Sequence, residues 1–193
     1  MNTLIFDIET NAIKDWANLS DLTTLHCLSI FDIDNNEMTS YNSVDGNIEE
    51  GLVKLLNAKA IAGHNIIGFD VPALTKLYDF THNNLIDTLV LARCVYPDVR
   101  NDDFKRENFD KKLIGSHSLK AWGTRINVLK DNYGETSDWS EWSQEMQDYC
   151  EQDVRVTFML YMWLLGKNPS HKMQMLEHEF AIQMRKQEAN GFP

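Results

Sequence analysis

The chain has 193 residues, 43% of them hydrophobic and 24% charged, which suits one folded domain of ordinary globular composition and excludes a disordered polymer. Its formal net charge of −11 and pI of about 4.9 argue against a protein that holds nucleic acid by a broad basic surface, but not against an enzyme that chelates cations and grips a few nucleotides. Cys27, Cys94 and Cys150 are scattered, odd in number and without CxxC spacing, so neither a disulfide framework nor a thiolate zinc site is expected, and a reducing compartment is. Met1 to Phe6 has no basic segment and meets Asp7 too early for a signal peptide; the richest apolar stretch, residues 158–165, is too short to span a bilayer.

In chain order, residues 3–8 contain the apolar run Leu4-Ile5-Phe6 and predict a short buried strand. Residues 26–33, centred on Cys27-Leu28-Ser29-Ile30-Phe31, predict a second; Asp34-Asn35-Asn36 is a turn signal, and residues 38–41 return antiparallel as a third. Asn47 is placed to cap a helix over 48–56 with Ile48, Leu52, Leu55 and Leu56 on one face. Residues 59–63 read as a fourth strand and 69–80 as a helix that tolerates Pro72 only in its first turn. Residues 85–86 read as a fifth strand, followed by a helix over 87–95 that stops near Pro97. Residues 98–112 carry five acidic and five basic side chains with little apolar periodicity, and a long solvated surface loop is expected. A helix over 118–126 is capped by Ser116 or Ser118. The strongest helical pattern covers 143–165, where Met146, Cys150, Val154, Phe158 and Tyr161 repeat at helical spacing, and Gly166-Lys167-Asn168-Pro169 ends it. Residues 170–190 form a further helix. Three strands joined by short turns, then βαβ units, predict an α/β fold with a mixed five-stranded sheet and helices on both faces.

Asp7 and Glu9 lie two apart on the first strand, so alternation puts both carboxylates on one face, where they repel unless a cation sits between them. Hard divalent ions such as Mg²⁺ take oxygen ligands of this kind, although a solvated strand end would carry the same pair. Tyr149 and Asp153 are four apart on the long helix and share a face, as would a surface Asp beside a half-buried Tyr. Asp70 follows the fourth strand in Gly63-His64-Asn65-Ile66-Ile67-Gly68-Phe69-Asp70, at a strand's carboxyl end where α/β proteins place ligands and where a simple helix cap also stands.

Taken in order, Asp-x-Glu, Asn-x₄-Asp and Tyr-x₃-Asp resemble the three exonuclease motifs of the DEDD superfamily, and the tyrosine marks its DEDDy branch. The histidine branch has a His five residues before the last Asp, where this chain has Asp148. Four longer stretches extend the resemblance: Asp7-Ile8-Glu9-Thr10-Asn11-Ala12, Asp70-Val71-Pro72-Ala73-Leu74-Thr75-Lys76-Leu77, Ile86-Asp87-Thr88-Leu89-Val90-Leu91 and Gly115-Ser116-His117-Ser118-Leu119-Lys120-Ala121-Trp122-Gly123. They are similar to the exonuclease domain of family-A DNA polymerases from short-tailed phages, over nearly the whole chain.

That resemblance implies a ribonuclease H-like fold and a 3′–5′ exonuclease that proofreads for a polymerase domain or subunit, in cis or in trans. Its substrate would be a single-stranded or frayed DNA 3′ end, in the cytoplasm of a host cell, with no membrane partner. The cofactors implied are two divalent cations, Mg²⁺ or Mn²⁺. Asp7, Glu9 and Asp153 would hold the one that carries the attacking water. Asp7 would bridge to the second, which Asp70 reaches through water. Tyr149, a phenol with an ordinary pKa of about 10, would stay protonated and orient the water. Thr10 is implied to hold the terminal nucleotide, Asn65 to contact the strand backbone or sugar, and Ile13 to wedge beside the last base or simply to pack in the core. His64 is read as structural, because such a site wants oxygen ligands, and His117 as packing or capping near Trp122. Residues 1–168 would be the nuclease. Residues 169–193 resemble the start of a polymerase region, either in an excised domain or in a polymerase encoded in pieces. The apolar face Met173, Leu176, Phe180 and Met184 would be exposed or self-associating if its partner is missing. Two other readings share the carboxylates: a DEDDy ribonuclease trimming RNA 3′ ends, and a non-catalytic module supporting a polymerase.

Overall fold

The computed structural model describes residues 3–128 and 139–191. Phe192 and Pro193, part of the polymerase-like tail, lie outside the described residues. The sheet comprises β1 (Thr3–Thr10), β2 (Leu25–Asp32), β3 (Glu37–Asn42), β4 (Ala60–Gly63) and β5 (Leu85–Asp87), in the order β3-β2-β1-β4-β5. β1, β2 and β3 pair antiparallel, whereas β4 and β5 run parallel to β1, so the sheet is mixed as expected. All of β2 is buried, which explains an apolar run that does not alternate.

Two cores flank the sheet. Leu4, Phe6 and Ile8 of β1 pack with residues of α1 (Ile48–Leu56) and α2 (Asp70–Tyr78), including Leu52, Leu55 and Leu74. Ile5, on the opposite face, packs with Leu91 of α3 (Thr88–Val95), Trp122 of α5 (Leu119–Arg125) and Val154 and Leu160 of α6 (Gln144–Leu165). The period of two that feeds both cores also sets Asp7 and Glu9 on the Ile5 face, toward α6. A short α4 (Val99–Asp103) precedes α5, and α7 (His171–Asn190) lies against α3 and β5.

The rotation of α6 on the sheet is fixed by polar links. Ser143 caps the helix by accepting from the Met146 N–H at 3.1 Å. Gln147 Nε2 donates to Ser29 Oγ at 2.9 Å, Ser40 Oγ donates to Glu151 Oε1 at 2.6 Å, and Cys150 Sγ donates to the Asp7 carbonyl at 3.3 Å. Residues 147, 150 and 151 form one helical face, so these bonds fix where Tyr149 and Asp153 stand.

Three local expectations change. Asn47 does not cap α1: its Oδ1 accepts from the Asn42 N–H at 2.8 Å, because the turn after β3 competes for the same short side chain. Residues 98–112 are not a solvated loop throughout. They contain α4 and a 3₁₀ turn at Lys111–Leu113, and Val99 and Asp103 are buried. Asp103 accepts from Arg125 Nε at 2.9 Å, Arg125 Nη2 at 2.8 Å and the Gly115 N–H at 2.9 Å, partners that charge composition does not reveal. Helix α2 is shorter than residues 69–80, since Asp79 turns left-handed at φ 52° and ends it. The apolar side of α7 is exposed, with Leu176 and Phe180 largely in solvent, and the one residue it buries is His178. All three cysteines are free, and no helix among the described residues is long and apolar enough to cross a membrane.

Candidate active site

The site begins where β1 outruns β4. Their parallel ladder pairs only Thr3, Leu4 and Ile5, so the rest of that edge of β1 lies open. Asp70, in the first turn of α2, lines the cleft beside Ile8 at this opening, where the Ile8 N–H and its own main-chain N–H favour its charged form. Asp70 is 4% exposed. Burial raises its carboxyl from an ordinary 3.8 to about 8; the negative charges of Asp87 and Asp153 add to the rise, and the two main-chain N–H groups oppose it.

The loop between β4 and α2 depends on one close approach and one left-handed residue. A Cβ on Gly63 would stand 2.8 Å from the Phe6 carbonyl oxygen and collide with the Ile66 side chain, so glycine permits the close approach to β1. Asn65 adopts φ 66°, a left-handed conformation that asparagine tolerates. Asp87, at the end of β5 and 1% exposed, gathers the loop: its carboxylate accepts from the N–H groups of Asn65 at 2.9 Å, Ile67 at 3.0 Å and Leu89 at 2.9 Å.

Asp7, Glu9, Asp70, Tyr149 and Asp153 all line one cleft of about 560 Å³. Carboxylate oxygens of Asp7 and Glu9 and the Cys150 sulfur lie within 4.8 Å of one another. The thiol is a structural donor and not a ligand: burial, then its contact with Cys27, raises it well above its ordinary 9.0, and it points at the Asp7 carbonyl. The donors facing the cleft are therefore carboxylate oxygens whose mutual repulsion a divalent cation would relieve, and this set suits a hard ion.

The remaining walls are partly aromatic. The Trp16 and Phe69 rings lie 5.2 Å apart at 53°, and Trp139 stands edge-on to Tyr149 at 6.4 Å. Arg93 and the Ser116-His117-Ser118 segment complete the lining. His64 also reaches the cleft, but its ring nitrogens face Thr88 Oγ1 at 2.8 Å and the His117 carbonyl at 3.1 Å, so it ties α3 to the loop before α5. His117 packs 5.8 Å from Trp122, and burial, then the charges of Arg125 and Arg93, hold it below its ordinary 6.5. Of the three residues expected to touch substrate, Asn65 lines the cleft and is exposed. Thr10 is buried, with Oγ1 donating to the Asn11 carbonyl at 3.0 Å, and Ile13 packs against the α1–α2 core; neither lines the cleft. Sequence reasoning did not single out Trp16, Phe69, Arg93 or Trp139. Only the exposure of Trp16, 61% in solvent, sets it apart, and that is visible only in the fold.

A carboxylate cleft at the end of the central strand of this sheet defines an RNase H-like exonuclease domain. The chain belongs to the RNase H superfamily, whose family model matches residues 4–165. Within that superfamily it is similar to the DNA-directed DNA polymerases of Escherichia phage T7 and Enterobacteria phage T3. Each is 30% identical to it over 237 aligned residues, covering 98% of this chain and 33% of the relative. The chain thus spans about a third of the length of those polymerases. Solved structures share its fold. Brucella melitensis NrnC with bound Mg²⁺ has a TM-score of 0.65 at 16% identity, covering 99% of this chain and 87% of that one. Escherichia coli RNase D, an exoribonuclease involved in structured RNA processing, has a TM-score of 0.66 at 14% identity, covering 100% and 46%.

Proposed function

We propose that the chain removes nucleotides from single-stranded or frayed DNA 3′ ends and edits for a phage-type DNA polymerase joined to it or held as a separate subunit, in the host cytoplasm. The observation that carries this reading is the convergence of Asp7, Glu9, Asp70, Tyr149 and Asp153 on one cleft, in a chain similar to phage DNA polymerases over 98% of its length.

Two divalent cations, Mg²⁺ or Mn²⁺, fit the site. Asp7, Glu9 and Asp153 would hold one, and Asp7 with Asp70 the other. Such ions, when bound, supply an activated water and neutralise the phosphate and the leaving 3′ oxygen. Tyr149 keeps its proton and orients the water by hydrogen bonding, with its ring steadied by Trp139. Trp16 and Phe69 offer unpaired bases a stacking wall, an interaction of about 1–3 kcal/mol per base. Asn65 contacts the strand backbone or sugar, and Arg93 meets a phosphate. A mispaired terminus frays at lower cost than a paired one, so selectivity for errors arises largely in the DNA. Residues 1–168 are the nuclease, and residues 169–193 are a linker and a helix that resemble the start of a polymerase region.

Matched single strands of DNA and RNA, labelled at the 3′ end and incubated with Mg²⁺, test the reading. Faster release of mononucleotides from DNA is expected. A large preference for RNA would make the chain an RNA-trimming enzyme instead, and no hydrolysis of either would make it a non-catalytic module.

A further inference from the structure

Helix α7 lies outside the cleft yet is bonded to both of its walls. On one side, His178 Nε2 accepts the main-chain N–H of Asp87 at 2.7 Å, and its Nδ1 faces the Gln174 carbonyl at 2.7 Å, which places the ring proton on Nδ1. The same Asp87 holds the Asn65 and Ile67 N–H groups through its carboxylate, so one residue joins α7 to the loop that leads into Asp70. On the other side, Arg185, two turns further along, donates Nη1 to the Ala17 carbonyl at 2.7 Å and Nη2 to the Trp16 carbonyl at 3.2 Å. The Trp16 ring rests on Phe69, and both line the cleft, whereas Asp87, His178 and Arg185 do not. His178 is the buried residue of α7, and Leu176 and Phe180 are exposed. Polar anchors therefore contribute much of the docking, and a helix held this way leaves its seat more readily than one with a buried apolar stripe.

Resting on the exonuclease reading, we propose that α7 is a positioning strut for the 3′ end. His178 acts through Asp87 to set the Asn65-to-Asp70 loop, and Arg185 fixes the backbone beneath the Trp16 stacking wall. Both are positioning residues, since neither reaches the cleft. Arg185 governs the grip on bases, and His178 governs the geometry around Asp70.

The test uses the 193-residue chain, steady-state hydrolysis of a single-stranded oligodeoxynucleotide with Mg²⁺, and amide exchange followed by segment. Arg185→Ala should raise KM by about tenfold with kcat nearly unchanged, the loss of charge-assisted bonds to two carbonyls, and Arg185→Lys should recover part of it. His178→Leu should lower kcat and speed exchange at residues 64–70. His178→Gln, whose side-chain oxygen can accept from the Asp87 N–H, should restore both. Unchanged KM in Arg185→Ala together with unchanged exchange in His178→Leu would overturn the proposal, as would exchange raised equally in β2, the mark of a merely structural role. Should the wild-type chain hydrolyse no DNA, the exonuclease reading fails by itself. Exchange at residues 64–70 in His178→Leu then decides whether the strut exists: faster exchange supports it and unchanged exchange overturns it.

Discussion

The thiol of Cys150 donates to the main-chain carbonyl of Asp7 at 3.3 Å. One bond thus joins the helix that carries Tyr149 and Asp153 to the strand that carries Asp7 and Glu9. Cys150 and Cys27 are fully buried, while Cys94 is partly accessible. A thiol-reactive dye should label Cys94 alone in the native protein and all three cysteines after unfolding; rapid native labelling of three would contradict this arrangement. Cys150→Ser, which keeps a donor, should retain more activity than Cys150→Ala, which should lose about 1 kcal/mol of stability.

Asp7→Ala should abolish hydrolysis without altering the fold, because Asp7 is half-buried at the cleft rim and has no place in either apolar core. Tyr149→Phe removes one oriented hydrogen bond and should slow the reaction by roughly tenfold, leaving measurable turnover. Circular dichroism with single-turnover rates checks both; full activity in Asp7→Ala would remove the metal assignment.

Asp103 and Arg125 form a buried pair, 1% and 4% exposed at their side chains. Burial raises the Asp103 carboxyl, but the Arg125 hydrogen bonds, the Gly115 N–H and the nearby positive charges outweigh it and leave the group below 3.8. A depressed folded-state pKa contributes stability that is complete above the unfolded value and is lost as pH falls through the folded one. Asp103→Ala leaves Arg125 buried without its partner and should cost about 3–5 kcal/mol, a fall in thermal midpoint of roughly 10 °C. That difference from wild type should be full at pH 7 and should shrink as the pH is taken below about 4. A midpoint difference independent of acid would contradict the depressed carboxyl.

Gly63→Ala should destabilise by roughly 1–3 kcal/mol, since the added Cβ meets the Phe6 main-chain oxygen, which cannot rotate aside. Its activity should fall further than its stability, because the strand that must shift also carries Asp7. Thermal melts paired with hydrolysis rates separate the two effects; equal losses would argue that β1 does not move.

Much of this was legible in the residues themselves. Asp7 and Glu9 are on a strand, and Tyr149 and Asp153 on a helix, so a fixed period sets their direction. The five strands and the helices about them follow from apolar spacing for the same reason. What stayed hidden depends on distant pairing. Asp87 meets His178 across 91 residues, Arg185 meets Ala17 across 168, and Asp103, in a stretch whose composition suggests only solvated charge, meets Arg125 across 22. Trp16 sits in an irregular segment, where no periodicity tells a cleft wall from a loop residue. Asn47 reads as a helix cap in the sequence, but a short polar side chain suits a turn equally well, and tertiary context selects the turn.

The most direct measurement follows a 5′-labelled single strand of DNA over time with Mg²⁺, Mn²⁺ or a chelator, using wild-type protein and Asp7→Ala. If the four carboxylates hold catalytic cations, the wild type shortens the strand one nucleotide at a time from its 3′ end, only with metal, and Asp7→Ala leaves it intact while melting at the same temperature. Shortening that survives the chelator, or an Asp7→Ala rate equal to wild type, would contradict the carboxylate site.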